Sequence, residues 1–437
     1  MTFITRTGME AAAILEPMKH AGRKLGAIAV TVVVLAGCAG SRGSPAASSP
    51  AASSELATSP TTPSTPTTPA ANPSASASAP ARPSATSSAA DIQALLDEEP
   101  TTYGAPGALA VVRVGDARWA ATSGIADRAG AAIMDATRFR IASITKPIVA
   151  TLVLDQVAKG TLSLDDVVGT VLPGVVRATP PITVRQLLNH TSGIFDESND
   201  GDPIADVEKL ADAALRDEAR AVVKRYLAGE RVIASDRVFV ALSEVHDRYF
   251  APGTGYHYSN TNYQLAAMVL ERKTGRPLAD LLRTRIVQPL GLTHTTIAPP
   301  DLRSPELRGY GTSTTDGSLV DITDDLTFFG NGGNGGVIST ADELLAIMQA
   351  IVSGRLLPAA LVADMRTPAR ESYGLGLATY DLTCGTFYGH EGGVNGTASI
   401  ALVSPDGGAG VVIALNLRSG ADPRLPVLAD RMLCPHV

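Results

Sequence analysis

The stretch "SITKPIVATLVLDQVAKG" runs from Ser143 to Gly160. Apolar residues at 148, 149, 152, 153 and 157 follow helical spacing. Lys159 and Gly160 supply C-terminal signals. Pro147 fits such a helix only in its first turn, where amides have no intrahelical partner. The proline therefore places Ser143 at a helix N-terminus. Ser143 and Lys146 then stand at i and i+3, on one face. A lysine desolvated beside a hydroxyl can lose its proton and act as a general base. The helix N-terminus also favours a developing alkoxide. The same residues equally describe a serine that caps a helix and a lysine that reaches solvent, so this pair decides nothing alone.

Two later stretches supply company for it. Tyr258-Ser259-Asn260 follows the turn "APGTG" and precedes a helix starting near Thr261. Residues two apart in extended chain point the same way. Tyr258 can pass a proton, and the Asn260 amide can bind both a lysine and a substrate carbonyl. The plainer reading has Asn260 capping its helix with Tyr258 packed beside it. "GHEGGVNG", Gly389 to Gly396, reads in three ways: a metal site, the base of a triad, or a glycine-rich wall beside a nucleophile. Glycines there let a substrate backbone approach closely.

The flanking chain predicts where these stretches sit. "GALAVVRVG" (107–115) and "ARWAATSG" (117–124) read as strands joined by a turn at Gly115-Asp116. From about 165 to 365 the pattern is mostly helices and loops. Within it "STADELLAIMQAIVSG" opens on a capping-box pattern, Thr340 with Glu343. Strand-like runs return in "YGLGLATY", "GTFYGH", "TASIALVS" and "GAGVVIALNL". A turn at "PDGG" (405–408) joins the last two as a hairpin, and a terminal helix follows at roughly 423–433. The expected class is α+β: one antiparallel sheet built from both ends of the domain, flanked by helices, with an inserted mainly helical lobe.

The order Ser-x-x-Lys, Tyr-x-Asn, His-x-Gly resembles the serine β-lactamase-related superfamily of class C β-lactamases, D-alanyl-D-alanine carboxypeptidases and esterases. "LLNHTSGI" (187–194), "YSNTNYQLAAMVLE" (258–271) and "GGVIST" (335–340) strengthen the match, which covers essentially all of 91–437. The resemblance implies a β-lactamase/transpeptidase-like fold, a sheet lobe of about 91–165 and 366–437, and a helical lobe of about 166–365. It implies Ser143 as acylated nucleophile, Lys146 as its activating partner and Tyr258 as proton relay. It makes Asn260, His390 and Gly392 substrate-binding or orienting residues, with an oxyanion hole formed by the backbone N–H groups of Ser143 and Gly393. His190 in "NHTSG" reads as a residue that fixes a loop. "GNGGNG" (330–335) fits a dinucleotide pattern, but no β-α-β unit surrounds it, and a glycine-rich loop beside the site is the better reading.

One departure bears on the substrate. Glu391 stands where carboxylate-reading members of the superfamily have Thr or Ser, and no Lys or Arg occurs between Glu371 and Leu417. If Glu391 faces the cleft it repels a substrate carboxylate, by about 1 kcal/mol in water at contact distance. Neighbours on a strand alternate faces, so it can equally point away. The expected function is a membrane-anchored extracytoplasmic serine hydrolase that acts through an acyl-enzyme on a peptide, amide or ester. The alternatives are a carboxylesterase on neutral esters and a non-catalytic binding or sensing module of the same fold.

The first 90 residues read as an address. Lys19, Arg23 and Lys24 precede the apolar run Leu25 to Cys38, which is too short for a bilayer span of roughly 20 residues and fits a secretory signal. Its ending, Leu35-Ala36-Gly37-Cys38, resembles the lipobox of bacterial lipoproteins, which implies cleavage after residue 37 and lipidation of Cys38. An ordinary signal peptide that happens to contain a cysteine is the other reading. Residues 39–90 are almost wholly Ala, Ser, Pro, Thr and Gly, too apolar-poor to offset their chain entropy. The expected organisation is a signal at 1–37, a lipidated cysteine plus tether at 38–90, and the folded domain at 91–437. If Cys38 carries lipid, Cys384 and Cys434 remain as one even pair for an oxidising compartment; two unrelated buried thiols are the alternative. The chain has 36 basic and 43 acidic residues and a net charge of −7. No Lys/Arg stripe offers itself to nucleic acid. The seven histidines lack metal-ligand spacing, and neither a metal nor a cofactor is expected. A monomer acting on a small-molecule or peptide substrate is.

Overall fold

The computed structural model describes residues 88–437 except 231, 298–305, 314, 325–331, 395, 418–421 and 435–437. Cys38, the signal and the tether as far as residue 87 lie outside these residues, and the last three residues of the expected tether, 88–90, cap and open the first helix. Six strands form the main sheet: β1 (Gly107–Val114), β2 (Ala117–Gly124), β3 (Ala378–Leu382), β4 (Gly385–Val394), β5 (Thr397–Val403) and β6 (Ala409–Leu415). Their order is β2-β1-β6-β5-β4-β3, antiparallel throughout. The first and last strands of the domain therefore meet in mid-sheet, Ala110 opposite Ile413 and Val112 opposite Val411.

Alternation along the strands gives the sheet two buried faces. On one, Ala108, Ala110, Val112, Ile400, Leu402, Val411 and Ile413 pack under the helices Ala89–Glu98 and Arg424–Leu433. On the other, Leu109, Val111, Ala401, Val403, Val412 and Ala414 join the main core with the helices Thr145–Ala158, Asn260–Thr274 and Ala341–Val352. Both central strands are buried along their whole length, which is why they read as continuous apolar runs rather than as alternation.

The α+β reading holds, with differences of detail. The first helix, Ala89–Glu98, was not expected from the sequence; Ser88 caps it, with Asp91 completing the capping box. "YGLGLATY" becomes strand only from Ala378. The capping box at Thr340 is half formed. Thr340 Oγ1 accepts from the Glu343 amide at 3.3 Å, but Glu343 turns its carboxylate to the amides of Thr293 and His294. Short strands also lie within the helical region, including Thr296–Ile297 and Val337–Ser339.

Cys384 and Cys434 form a disulfide, with Cα atoms 5.3 Å apart and a sequence separation of 50. It ties the β3–β4 turn to the end of the last helix. Closing a loop of that length is worth about 4 kcal/mol in the chain-entropy model. The Cys384→Ser/Cys434→Ser double variant is therefore expected to unfold several degrees lower in a thermal melt. Reductant should lower the melting temperature of the parent and leave that of the variant unchanged.

Candidate active site

The chain enters the site through a strained turn. Ala142 adopts a left-handed backbone, φ 49°, which a residue with a Cβ rarely takes. A short 3₁₀ turn, Ala142–Ile144, then runs directly into the helix Thr145–Ala158. Pro147 falls in the first turn, as its missing N–H requires. Ser143 is half-buried, whereas Lys146 is fully enclosed.

Lys146 is the hub. Its Nζ lies 2.8 Å from Ser143 Oγ, 2.8 Å from Asn260 Oδ1 and 2.7 Å from the backbone oxygen of Asn334. Burial lowers its pKa to about 7, against a smaller upward pull from Asp196. A neutral amine has two N–H donors and one lone pair. Two of the three neighbours, Asn260 Oδ1 and the Asn334 carbonyl, can only accept. The remaining lone pair therefore faces the one neighbour with a proton to give, Ser143. The hydrogen-bond arithmetic suits an amine base directed at the serine hydroxyl.

Tyr258 closes the other side. Burial keeps its phenol well above the usual tyrosine range, with Ser143 pulling the other way, so it stays protonated. Its ring centroid lies 4.9 Å from Lys146 Nζ. Behind it sits His190, buried, with ring centroids 4.4 Å apart. His190 Nδ1 accepts from the Ser259 amide at 3.2 Å and lies 3.1 Å from Asn262 Nδ2. Desolvation holds its pKa well below the usual histidine range. His190 thus braces the Tyr258–Asn260 loop as a neutral ring.

Asn260 begins its helix, where Ser259 is the N-cap. Its amide is held from both ends: Oδ1 on Lys146, Nδ2 donating to the Asp196 carboxylate at 3.3 and 3.4 Å. Asp196 is 1% exposed, and burial raises its pKa while Asn199 and Asn260 donate to it. The sequence reading missed Asp196, which carries no local signal because it acts through a contact far away in sequence. Asn334 belongs to the glycine-rich loop "GNGGNG", which was read as lying beside the site, but the role of its backbone oxygen as a partner of Lys146 was not foreseen.

β4 supplies the opposite wall. His390 is buried, its Nε2 2.9 Å from Tyr373 Oη and its Nδ1 on the Glu391 carbonyl. Burial and Lys146 push its pKa down to about 3, leaving it neutral. Tyr373, read from sequence only as part of a strand, bridges this histidine to the aromatic cluster of His190 and Tyr258. Gly392 is sterically required: a Cβ there would come within 2.2 Å of the Ile141 carbonyl. That close pass sets β4, and Gly393 next along it, beside the Ser143 turn.

Glu391 points away. It shares a strand face with Phe387, opposite Ile400, in the core layer beneath the terminal helices. Its Oε1 accepts from Tyr380 Oη at 3.2 Å. Burial raises its pKa, with Asp422 adding to the rise. Of the two faces left open by the sequence, Glu391 takes the one turned from Ser143, so the repulsion that a cleft-facing carboxylate would exert on a substrate carboxylate does not arise. Glu391→Thr should change kcat/KM by less than about twofold on substrates with and without a carboxylate, under about 0.4 kcal/mol. Parallel assays of the two substrate classes check this.

The beta-lactamase family model matches residues 92–430. Esterase EstB of Burkholderia gladioli is 35% identical over 226 residues, 48% of this chain and 51% of that protein. The D-aminopeptidase of Brucella ovis is 28% identical over 313 residues, 70% of this chain and 55% of that protein. The chain thus spans about half the length of these curated relatives. A D-stereospecific amidohydrolase from a Streptomyces species superposes with a TM-score of 0.64 at 33% identity, covering 80% of this chain and 100% of its own. On the family match and on the Ser143–Lys146–Tyr258 arrangement typical of a serine hydrolase, this chain belongs to the beta-lactamase family.

Proposed function

We propose that the protein hydrolyses an amide or ester bond through an acyl-enzyme on Ser143, with substrates that carry a D-configured residue on the acyl side. The observation that carries the acyl-enzyme is the 2.8 Å contact between Ser143 Oγ and a lysine whose pKa is lowered to about 7. The preference for D-residues is supported by the names of the D-aminopeptidase and the D-stereospecific amidohydrolase.

In this reading Ser143 Oγ attacks the acyl carbon while Lys146 takes its proton. The backbone N–H groups of Ser143 and Gly393 receive the oxyanion; one such donor is typically worth about 3–4 kcal/mol. Tyr258 delivers a proton to the departing amine or alkoxide, and the C–N or C–O bond breaks. Water then attacks the ester, its proton passes to the Lys146–Tyr258 pair, and the acid leaves with Ser143 regenerated. Asn260, oriented by Asp196 and Lys146, holds the substrate carbonyl side. Tyr373 keeps His390 in one tautomer.

Likeness to an esterase supports a second reading, a carboxylesterase on neutral esters. One assay separates the two. The D-amino acid p-nitroanilides are expected to turn over at least about tenfold faster than their L-isomers. Equal rates on both isomers, together with fast p-nitrophenyl acetate hydrolysis, would favour the esterase. Absence of turnover on all three would leave a binding module.

The anchoring of the domain outside the cytoplasm through Cys38 is part of the same proposal. Its support is the lipobox-like sequence and the Cys384–Cys434 disulfide, a bond suited to an oxidising compartment. Metabolic labelling with a fatty-acid analogue tests it, with label lost in Cys38→Ser.

A further inference from the structure

Behind the segment that holds Asn260 lies a cluster that the proposed reaction does not use. Glu197 follows Asp196 directly, and its side chain is 1% exposed. Among the described residues, neither of its carboxylate oxygens has a hydrogen-bond partner. Asp206, 3% exposed at its side chain, ends the short helix Pro203–Asp206, and His246 follows the helix Asp236–Glu244. His246 Nε2 is 2.6 Å from Asp206 Oδ2 and 3.7 Å from Glu197 Oε2. One ligand atom from each residue lies within 4.8 Å of the other two. Gly201 passes so close that a Cβ would come within 2.5 Å of the Glu197 carboxyl, so a glycine leaves that group its room.

We propose that Glu197, Asp206 and His246 form a site for a divalent transition-metal ion of the zinc class. Two buried carboxylate oxygens and one imidazole nitrogen suit such an ion better than calcium, which takes six to eight oxygens. A carboxylate fully desolvated without a partner is costly, and a cation supplies what the protein does not. His246 is about a quarter exposed, which leaves a route for the ion and a position for water.

The site is coupled to the catalytic one through three consecutive residues. The Phe195 carbonyl accepts from Ser259 Oγ and Thr261 Oγ1, at the start of the Asn260 helix. Asp196 holds Asn260, and Glu197 reaches the cluster. Phe195 also stacks on His246 at 4.0 Å between ring centroids. An ion here would fix the segment that orients Asn260.

Zinc chloride titrated calorimetrically into the chelator-treated full chain tests the proposal. One Zn²⁺ per chain is expected, with a rise in melting temperature reversed by EDTA. Glu197→Gln and His246→Ala should each weaken binding at least about tenfold. Lys209 pairs with Asp206 Oδ1 at 2.5 Å and is more than half exposed, so Lys209→Ala should fold normally. Removing that competing ammonium should tighten Zn²⁺ binding several-fold, which keeps the test decisive if the buried variants misfold. Absence of saturable binding, unchanged affinity in Lys209→Ala, or binding that survives in both ligand variants would overturn the site.

Discussion

Ser143→Ala is expected to lower kcat by about 10⁴–10⁶-fold while the protein stays folded. The size follows from the chemistry: without the hydroxyl there is no acyl-enzyme, and only binding and the oxyanion-hole donors remain. The retention of structure follows from the geometry. Ser143 is half-buried in a turn already held by Ile141 and by the helix Thr145–Ala158. Its loss removes one of three contacts to Lys146 and leaves Asn260 Oδ1 and the Asn334 carbonyl in place. A fluorophosphonate probe should label the parent at Ser143 and leave the alanine variant unlabelled, with the circular dichroism spectra superimposable. An unlabelled parent would sink the acyl-enzyme reading altogether.

The parts of this site that could be read in the sequence are those carried by local pattern. Pro147 and the apolar spacing placed Ser143 and Lys146 on one helical face, and the helix begins within two residues of the expected point. The strands 107–114 and 117–124 were legible from their turn and their apolar runs, as was the β5–β6 hairpin at "PDGG". What was not legible depends on pairing across the chain. Asp196 and Tyr373 look ordinary until the fold brings them to Asn260 and His390, and within the glycine-rich loop nothing singles out the Asn334 carbonyl that meets Lys146. The face of Glu391 was open because its outcome depends on the β4–β5 register, which sets Glu391 opposite Ile400 and His390 opposite Ala401. A shift of one residue would exchange those faces. The metal-type cluster was hidden for the same reason: its three residues come from three separate segments, and no spacing rule joins them.

Lys146 should set the acid limb of the activity profile. With its pKa lowered to about 7, it is a base above that value and an ammonium below it. kcat/KM is therefore expected to rise about tenfold per pH unit below 7 and to level off above about 8. Neither nearby histidine can supply this limb, because His390 is pushed down to about 3 and His190 well below the usual range. Glu197 titrates close enough to confuse the assignment, so Glu197→Gln is the control and should leave the limb in place. Asp196 is the one cause that raises Lys146, and Asp196→Asn should move the limb to lower pH. Lys146→Met should cost at least about 10³-fold in kcat/KM and abolish the limb. Stability carries the opposite mark of the same group. The folded value is depressed below the ordinary 10.5, so between about 7 and 10.5 the unfolded chain binds more protons than the folded one. The lysine's contribution to stability then increases with pH across that window, by about 1.4 kcal/mol per unit, and its full cost is present below it. Denaturant melts of the parent and of Lys146→Met at pH 7 and pH 9 check the sign. The parent should gain relative to the variant at the higher pH, because a neutral base beside Ser143 is kept at the expense of a lysine the fold would rather not charge. No relative change would mean that the buried amine is protonated throughout and that Lys146 is not the base.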